Sequence, residues 1–196
     1  MKYGMCIPVI VALAAGAVVS MAQAPPKRYG LGQPAPADLI SAWDIAVTPD
    51  GKGLPPGKGT PAEGAAIYAA QCASCHGANG EGGAGDVLVG AEPKEFAPFG
   101  PQYEKSRGDG KDVPFTIGNY WPYATTIFDY IRRAMPPRAA GSLKPDQVYS
   151  LTAFLLAKNG IIAQNAVIDA TTLPAVVMPA RNRFVPDDRS GGAKVR

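Results

Sequence analysis

The sequence predicts an all-α fold, with a small core of three main helices and long coil-like extensions at both ends. Three segments carry helix start signals or apolar residues at helical spacing. The chain contains 20 prolines and 23 glycines in 196 residues, so much of its backbone is irregular. A core built from three short helices is small, which limits how much stability the polypeptide alone can supply.

The first 24 residues have the pattern of a cleavable export signal. Lys2 gives a positive start, residues 7–20 are apolar, and residues 22–24 (Ala-Gln-Ala) have the small-x-small form of a cleavage site. An uncleaved membrane anchor is the alternative, but the apolar run is shorter than the ~20 residues that span a bilayer. We therefore expect a periplasmic protein without stable membrane insertion.

Removal of this signal leaves 172 of the 196 residues, which suits one domain with extensions. It takes away one of the 19 basic residues and no acidic one, so the formal charge falls from +3 to +2. The basic residues are also scattered along the chain. Nucleic acid is therefore not an expected partner.

Four segments follow from the composition and the helix signals. They are a signal peptide at 1–24, an extended N-terminal arm at 25–59, a helical domain at 60–160, and a C-terminal extension at 161–196. The arm contains a short helical candidate around residues 36–43, and we expect Trp43, Ile45 and Leu54 to anchor it. The extension is predicted to be coil, and its polar end from Asp187 is expected to be disordered.

The first domain helix has two independent start signals. Residues 60–63 (Thr-Pro-Ala-Glu) combine a capping box with proline at the first helical position. Gly64, Tyr68 and Cys72 recur every four residues and so share one helix face.

Two further helices complete the predicted core. One is expected from Pro122 to about Arg133, with an apolar stripe. The other runs from Pro145 to about Lys158 and is ended by Asn159-Gly160. The members of the stripe are Tyr123, Ile127, Tyr130 and Ala134. Residues 77–118, which precede these helices, are predicted to form a loop.

The motif Cys-x-x-Cys-His at residues 72–76 contains two of the three cysteines and the single histidine. Structural zinc needs four Cys or His ligands, and the chain without its signal has three. A catalytic zinc site would need all three from adjacent positions. A thiol–disulfide redox pair normally opens a helix in a βαβ setting, whereas here a capped helix leads into the motif.

Covalent attachment of haem is the third interpretation and the one that this motif signals. Cys72 and Cys75 would form the two thioethers with the porphyrin, and His76 would bind the iron. Export is consistent with this chemistry, which is completed outside the cytoplasm. One motif predicts one haem c.

The second axial ligand decides what such a haem does. With one histidine in the chain, a second imidazole ligand is excluded, and two methionines remain after removal of the signal. Met135 lies between the second and third helices, and we expect its thioether to bind the iron, as is usual in cytochromes c. Met178 lies in the extension and is the weaker alternative, for which core packing is the simpler role.

Two sets of residues resemble known families. The stretch GAAIYAAQCASCHG, the later AMP and the closing amphipathic helix resemble class I cytochromes c over residues 60–160. YGLGQPAPADLISAWDIAVTPDGKGLPPGKGT, TIGNYWPYATTIFDYIRRAMP and VVMPARNRF are similar to the cytochrome subunit of periplasmic sulfane (sulfite-type) dehydrogenases of bacterial thiosulfate oxidation. This second resemblance spans residues 29–184. The chain departs from longer members that carry a second haem domain, because it has one Cys-x-x-Cys-His motif.

The resemblance implies a small class I cytochrome c fold around one haem. It also implies a molybdenum-cofactor dehydrogenase subunit as electron donor, with a downstream cytochrome c or oxidase as acceptor. With both axial positions filled, the protein would carry single electrons and would not be an enzyme by itself. Three alternatives stay open: a free electron shuttle, an open-site haem protein that binds gas or reduces peroxide, and a purely structural haem.

Several side chains near the predicted second helix are candidates for contact with the haem propionates. For the polar and aromatic ones an ordinary core role is equally plausible, and for the two arginines a solvated helix end is the simpler role. These residues are Asn119, Tyr120, Trp121, Tyr123, Arg132 and Arg133.

Overall fold

The computed structural model describes residues 30–90 and 114–184, and most of the regular secondary structure within them is helical. The helices are α1 (Ala37–Trp43), α2 (Pro61–Gln71), α3 (Ala73–His76), α4 (Ile117–Tyr120), α5 (Ala124–Ala134) and α6 (Pro145–Lys158). Strands β1 (Lys58–Gly59) and β2 (Ile168–Asp169) form a small antiparallel sheet. The predicted all-α class is confirmed. The predicted signal peptide and the polar end from Asp187 lie outside the described residues.

Helix α2 begins where its sequence signals predict. The Thr60 amide donates to the Glu63 carboxylate at 2.9 Å, and the Glu63 amide donates to the Thr60 hydroxyl at 3.3 Å. Pro61 occupies the first helical position, where its missing N–H costs nothing. The capping box therefore fixes the start of the helix that leads to Cys72.

Helix α2 crosses α6 at a position that only glycine can fill. A Cβ added to Gly64 would lie 1.9 Å from the carbonyl oxygen of Ser150. One turn later, Tyr68 is buried and its ring lies 4.9 Å from that of Phe154. The predicted face of α2 is therefore the face that packs against α6.

Helix α6 is the centre of the core, because every residue from Val148 to Ala157 is buried. It ends as predicted, with Asn159 at the C-cap and Gly160 at a φ of +68°, in the left-handed region that glycine favours. Its Tyr149 ring packs 4.5 Å from the Phe128 ring of α5. The Tyr68–Phe154 contact therefore places α2 on α6, and the Phe128–Tyr149 contact places α5 on α6.

Helix α5 is confirmed, but of its predicted stripe only Ile127 is buried. Tyr130 is 47% exposed, and Tyr123 lies before the helix in extended backbone. The apolar residues that are buried are Ala124, Ile127, Phe128 and Ile131. This buried set has the i, i+3, i+4, i+7 spacing of one helix face, and the predicted stripe lies along the edge of that face.

The N-terminal arm is attached to α5 by hydrogen bonds and by Val47, not by the predicted tryptophan. Trp43 is 81% exposed, and α1 buries none of its residues. Val47, by contrast, is 6% exposed. The other two predicted anchors, Ile45 and Leu54, are half-buried, and Leu54 packs against the core.

Three side chains of α5 reach the backbone of the arm. Asp129 accepts from the Val47 amide at 2.9 Å, Arg132 donates to the Ile45 carbonyl at 3.1 Å, and the Thr125 hydroxyl donates to the Pro49 carbonyl at 3.1 Å. Positions 125, 129 and 132 lie on one face of a helix. This face therefore holds the arm while the apolar residues of α5 pack into the core.

The C-terminal extension contributes to the core, which the sequence predicted for Met178 alone. Ile168, Leu173, Met178 and Ala180 are each at most 3% exposed. Strand β2 pairs with β1, and two 3-10 turns follow, at Leu173–Ala175 and Arg181–Arg183. The predicted loop 77–118 also ends in a helix, α4, that was not expected. Its signal is a capping box between Thr116 and Asn119.

Candidate functional site

The turn from α2 into α3 brings the two cysteines and the histidine together. Cys72 is the C-cap of α2, and its carbonyl accepts from the amides of Cys75 at 3.1 Å and His76 at 3.0 Å. Gly77, at a φ of +82°, ends α3 directly after the histidine. One helical turn thus presents both thiols and the imidazole.

The two thiols have different surroundings. Cys72 is half-buried and packs against the core, whereas Cys75 is exposed, and both are free. Burial, and secondarily the nearby Cys75, raises the pKa of the Cys72 thiol. A redox-active cysteine needs a lowered pKa, because the thiolate is the reactive form. The raised pKa of Cys72 therefore does not favour this thiol as the reactive member of a redox pair.

The imidazole of His76 has a fixed orientation. Its Nδ1 lies 2.8 Å from the carbonyl oxygen of Asp86. Because a carbonyl can only accept, the proton is on Nδ1, and Nε2 keeps the lone pair that binds a metal. Gly85 allows this arrangement, since a Cβ there would lie 2.8 Å from Cε1 of the ring.

The segment after the motif folds into a tight loop around the histidine. The Gly82 amide donates to the His76 carbonyl at 2.7 Å, and the Gly85 amide donates to the Cys75 carbonyl at 2.8 Å. The Tyr68 hydroxyl donates to the Gly77 carbonyl at 2.9 Å, which ties the loop to α2. The position of His76 is therefore supported by α2, which precedes the motif, and by the loop that follows it.

The same loop is joined to α4. The carbonyl of Leu88 accepts from the Ile117 amide at 3.1 Å and from the Asn159 side chain at 3.2 Å. Helix α4 leads through residues 121–123 into α5, and α5 ends next to Met135. We call residues 77–88, which follow His76, the histidine loop. Helix α4 thus connects the histidine loop, by a hydrogen bond, to the helix that ends at Met135.

The two candidate methionines differ in burial. Met135 is the C-cap of α5, its amide donates to the Ile131 carbonyl at 3.1 Å, and its side chain is half-buried against the core. Met178 is 2% exposed and belongs to the hydrophobic core. Of the two, Met135 is the one that the core does not enclose.

Three of the polar candidates for propionate contact already have protein partners. The Asn119 amide group donates to the Pro114 carbonyl at 2.9 Å and accepts from the Thr116 amide at 2.8 Å. Arg132 donates to the arm, as described above. Arg133 pairs with Asp129, and the hydrogen bond that its guanidinium donates to that carboxylate raises the pKa of the guanidinium.

The residues present fit a covalently attached haem. The two thiols are free and one helical turn apart, the imidazole is held in the tautomer that leaves Nε2 available, and glycine keeps the space beside the ring open. Within the described ranges, no three His, Cys, Asp or Glu side chains gather as a metal site of their own.

Comparison with known proteins identifies the family. The model of the family described as cytochrome c oxidase, cbb3-type, subunit III matches residues 59–155. A chain in the crystal structure of the sulfane dehydrogenase SoxCD from Paracoccus pantotrophus is 42% identical, with a TM-score of 0.68. That match covers 83% of this chain and 74% of the other. The chain belongs to the c-type cytochromes.

Membership of this family gives the cytochrome its cofactor, haem c, and its role, electron transfer. It acts as an electron-transfer protein and not as an enzyme by itself. No curated protein matches the chain. In the ranges 30–90 and 114–184, no helix is both long and apolar enough to cross a membrane.

Proposed function

We propose that this chain is a periplasmic cytochrome with one covalently bound haem c, and that it accepts single electrons from a molybdenum-dependent dehydrogenase of sulfur compounds. It would pass them to a downstream cytochrome c or oxidase. The proposal includes a signal peptide at residues 1–24. It also keeps the division into an arm at 25–59, a haem domain at 60–160 and an extension at 161–196.

The similarity to a sulfane dehydrogenase structure carries the partner assignment. The family model covers about half of the chain, whereas this match covers 83% at 42% identity. The shared part therefore extends beyond the general cytochrome domain into the arm and the extension. A free shuttle needs little beyond the haem domain, while a subunit needs additional surface for its partner.

We propose a role for each site residue. Cys72 and Cys75 would tether the cofactor, and His76 would bind its iron through a nitrogen that the Asp86 carbonyl makes more basic. Met135 would provide the second ligand, a thioether, which raises the reduction potential relative to a nitrogen ligand. Haem c would supply one-electron chemistry at this site.

Met135 is favoured over Met178 because of its place in the fold. It follows the last turn of a helix that is fixed on both faces, and it is partly exposed. Movement of Met178 onto an iron would require removal of a 2% exposed side chain from the core. The loss of packing would cost about 2–5 kcal/mol, as for truncation of a buried methionine to alanine.

Spectroscopy of the haem-loaded protein tests the ligands. We expect Met135→Ala to lose the methionine–iron charge-transfer band and to bind carbon monoxide rapidly, whereas Met178→Leu retains the wild-type spectrum. Rapid carbon monoxide binding by the wild type would contradict the proposal and favour an open-site haem protein. Pigment that survives denaturation in the wild type, but not in Cys72→Ala/Cys75→Ala, would establish covalent attachment.

Purification from the native periplasm tests the partner. We expect the cytochrome to co-elute with a molybdenum-containing subunit, and to be reduced when a sulfur substrate of that subunit is added. Elution alone, without such reduction, would favour a free shuttle. The N-terminal residue of the purified chain tests the signal peptide, since cleavage after Ala24 gives Pro25.

A further inference from the structure

Helix α1 carries an apolar face that the described part of the chain does not cover. Leu39 is 48%, Ile40 53% and Trp43 81% exposed. Positions i, i+1 and i+4 lie on one side of an α-helix, so the three side chains are neighbours. We call them the α1 apolar face. Large apolar side chains that are exposed together mark interaction sites.

The α1 apolar face lies next to an anchored segment. Immediately after α1, the Ile45 carbonyl accepts from Arg132, and the Val47 amide donates to Asp129. The anchor thus begins two residues after Trp43. Helix α1 itself buries none of its residues, so its side chains remain available to a partner while its C-terminal end is tied to α5.

Acidic groups flank the apolar face. Asp38 in the first turn and Asp44 at the C-cap are both exposed. The surface that would complement this helix is therefore an apolar groove with basic residues at its rim.

The comparisons indicate which protein offers that groove. The family model begins at residue 59, so α1 is not part of the general cytochrome domain. A span of 83% of 196 residues begins at or before about residue 34, so the match to the sulfane dehydrogenase structure includes α1. An exposed apolar helix shared with a chain of a dehydrogenase, and absent from the general domain, suits dehydrogenase binding.

We propose that the α1 apolar face is the surface by which this cytochrome binds its dehydrogenase subunit, in an apolar groove with a basic rim. This inference rests on the proposed function, which supplies the identity of the partner. To the proposed function it adds the element that docks on the partner. It also implies that the haem domain without α1 binds the dehydrogenase subunit weakly.

Binding measurements with the full haem-loaded cytochrome and the purified dehydrogenase subunit test the docking surface. We expect Trp43→Ala to weaken the affinity roughly 30-fold or more, as for a buried tryptophan at the centre of an interface. Leu39→Ala/Ile40→Ala should have an effect in the same direction. The matched control is Val177→Ala, which truncates an 83% exposed apolar residue outside α1 and should leave the affinity unchanged.

The outcomes separate the two proposals. If the wild type binds and Trp43→Ala binds equally well, the docking surface is wrong and the proposed function stands. If the wild type fails to bind, the proposed partner is wrong and the docking surface falls with it.

Hydroxyl-radical footprinting of Trp43 provides a second readout that does not depend on a variant. We expect rapid oxidation of Trp43 in the free cytochrome and protection in the complex. Slow oxidation in the free cytochrome would mean that its own chain covers the α1 apolar face, and would overturn the inference.

Discussion

The carboxylate of Asp129 accepts a hydrogen bond from the amide of Val47 at 2.9 Å, across 82 residues of sequence. Asp129 also pairs with Arg133 one turn further along α5. The contact joins the arm, through a residue that is 6% exposed, to the helix that leads to Met135. The arm is therefore part of the support of the candidate ligand.

Substitution of Asp129 should destabilise the protein mainly by leaving the Val47 amide without its partner. We expect Asp129→Ala to lower the free energy of unfolding by about 2 kcal/mol, measured by urea denaturation of the haem-loaded protein. Arg133→Ala is the control for the half-exposed ion pair and should cost less than about 1 kcal/mol. Equal losses in the two variants would mean that the ion pair, and not the Val47 contact, is what stabilises α5.

The glycine beside the imidazole gives a second test. Gly85→Ala would place a Cβ 2.8 Å from Cε1 and 3.0 Å from Nδ1 of His76, so the ring must move. We expect a fraction of the haem to lose its low-spin spectrum in electron paramagnetic resonance. Ala84→Ser, at the exposed neighbouring position, is the control. A wild-type spectrum for Gly85→Ala would show that the loop yields instead of the imidazole.

The sequence predicted the parts of this fold that depend on local signals. The capping box at Thr60 and the glycine after Asn159 correctly placed two helix ends, because both act within a few residues. The site motif is equally local, and its thiols and imidazole indeed lie on one turn.

The errors concern contacts between distant segments. The large apolar side chain of Trp43 predicts an anchor for the arm, but the arm is held by its backbone, through Val47 and α5. Backbone hydrogen bonds of this kind leave no trace in composition. Tyr130 lies at the edge of the apolar face of α5, and the limit of the area that α6 covers is set by packing, which leaves Tyr130 exposed.

Two residues of the histidine loop orient the imidazole of His76, and no sequence pattern indicates this role. Asp86 contributes its backbone carbonyl, so its identity as an acid carries no signal. Gly85 belongs to a glycine-rich run, whose composition predicts only a loop, and a close approach to the ring is one reason for such a glycine.

The burial of Met178 predicts that its size, and not its sulfur, is what matters. We expect Met178→Leu to change the free energy of unfolding by less than about 1.5 kcal/mol, and Met178→Ala to lower it by about 2–5 kcal/mol. Both changes are measurable by thermal or urea unfolding. Neither variant should alter the reduction potential. A shifted potential in Met178→Leu would instead place this methionine at the iron.

Tyr149 predicts how stability depends on pH in the alkaline range. Burial, with a smaller effect of Asp169, raises the pKa of Tyr149 from 10.0 to about 12. The neutral phenol is favoured in the folded state, and its hydroxyl donates to the Pro55 carbonyl at 2.8 Å. The stabilisation from this pKa difference is therefore complete below pH 10 and is lost as the pH rises from 10 towards 12.

We expect Tyr149→Phe to be less stable than the wild type at pH 8 by about 1 kcal/mol, because the Pro55 carbonyl loses its donor. Between pH 10 and 12 that difference should shrink, since the phenylalanine variant has no group to ionise there, and urea unfolding at several pH values measures it. A constant difference across this range would mean that Tyr149 titrates normally in the folded protein.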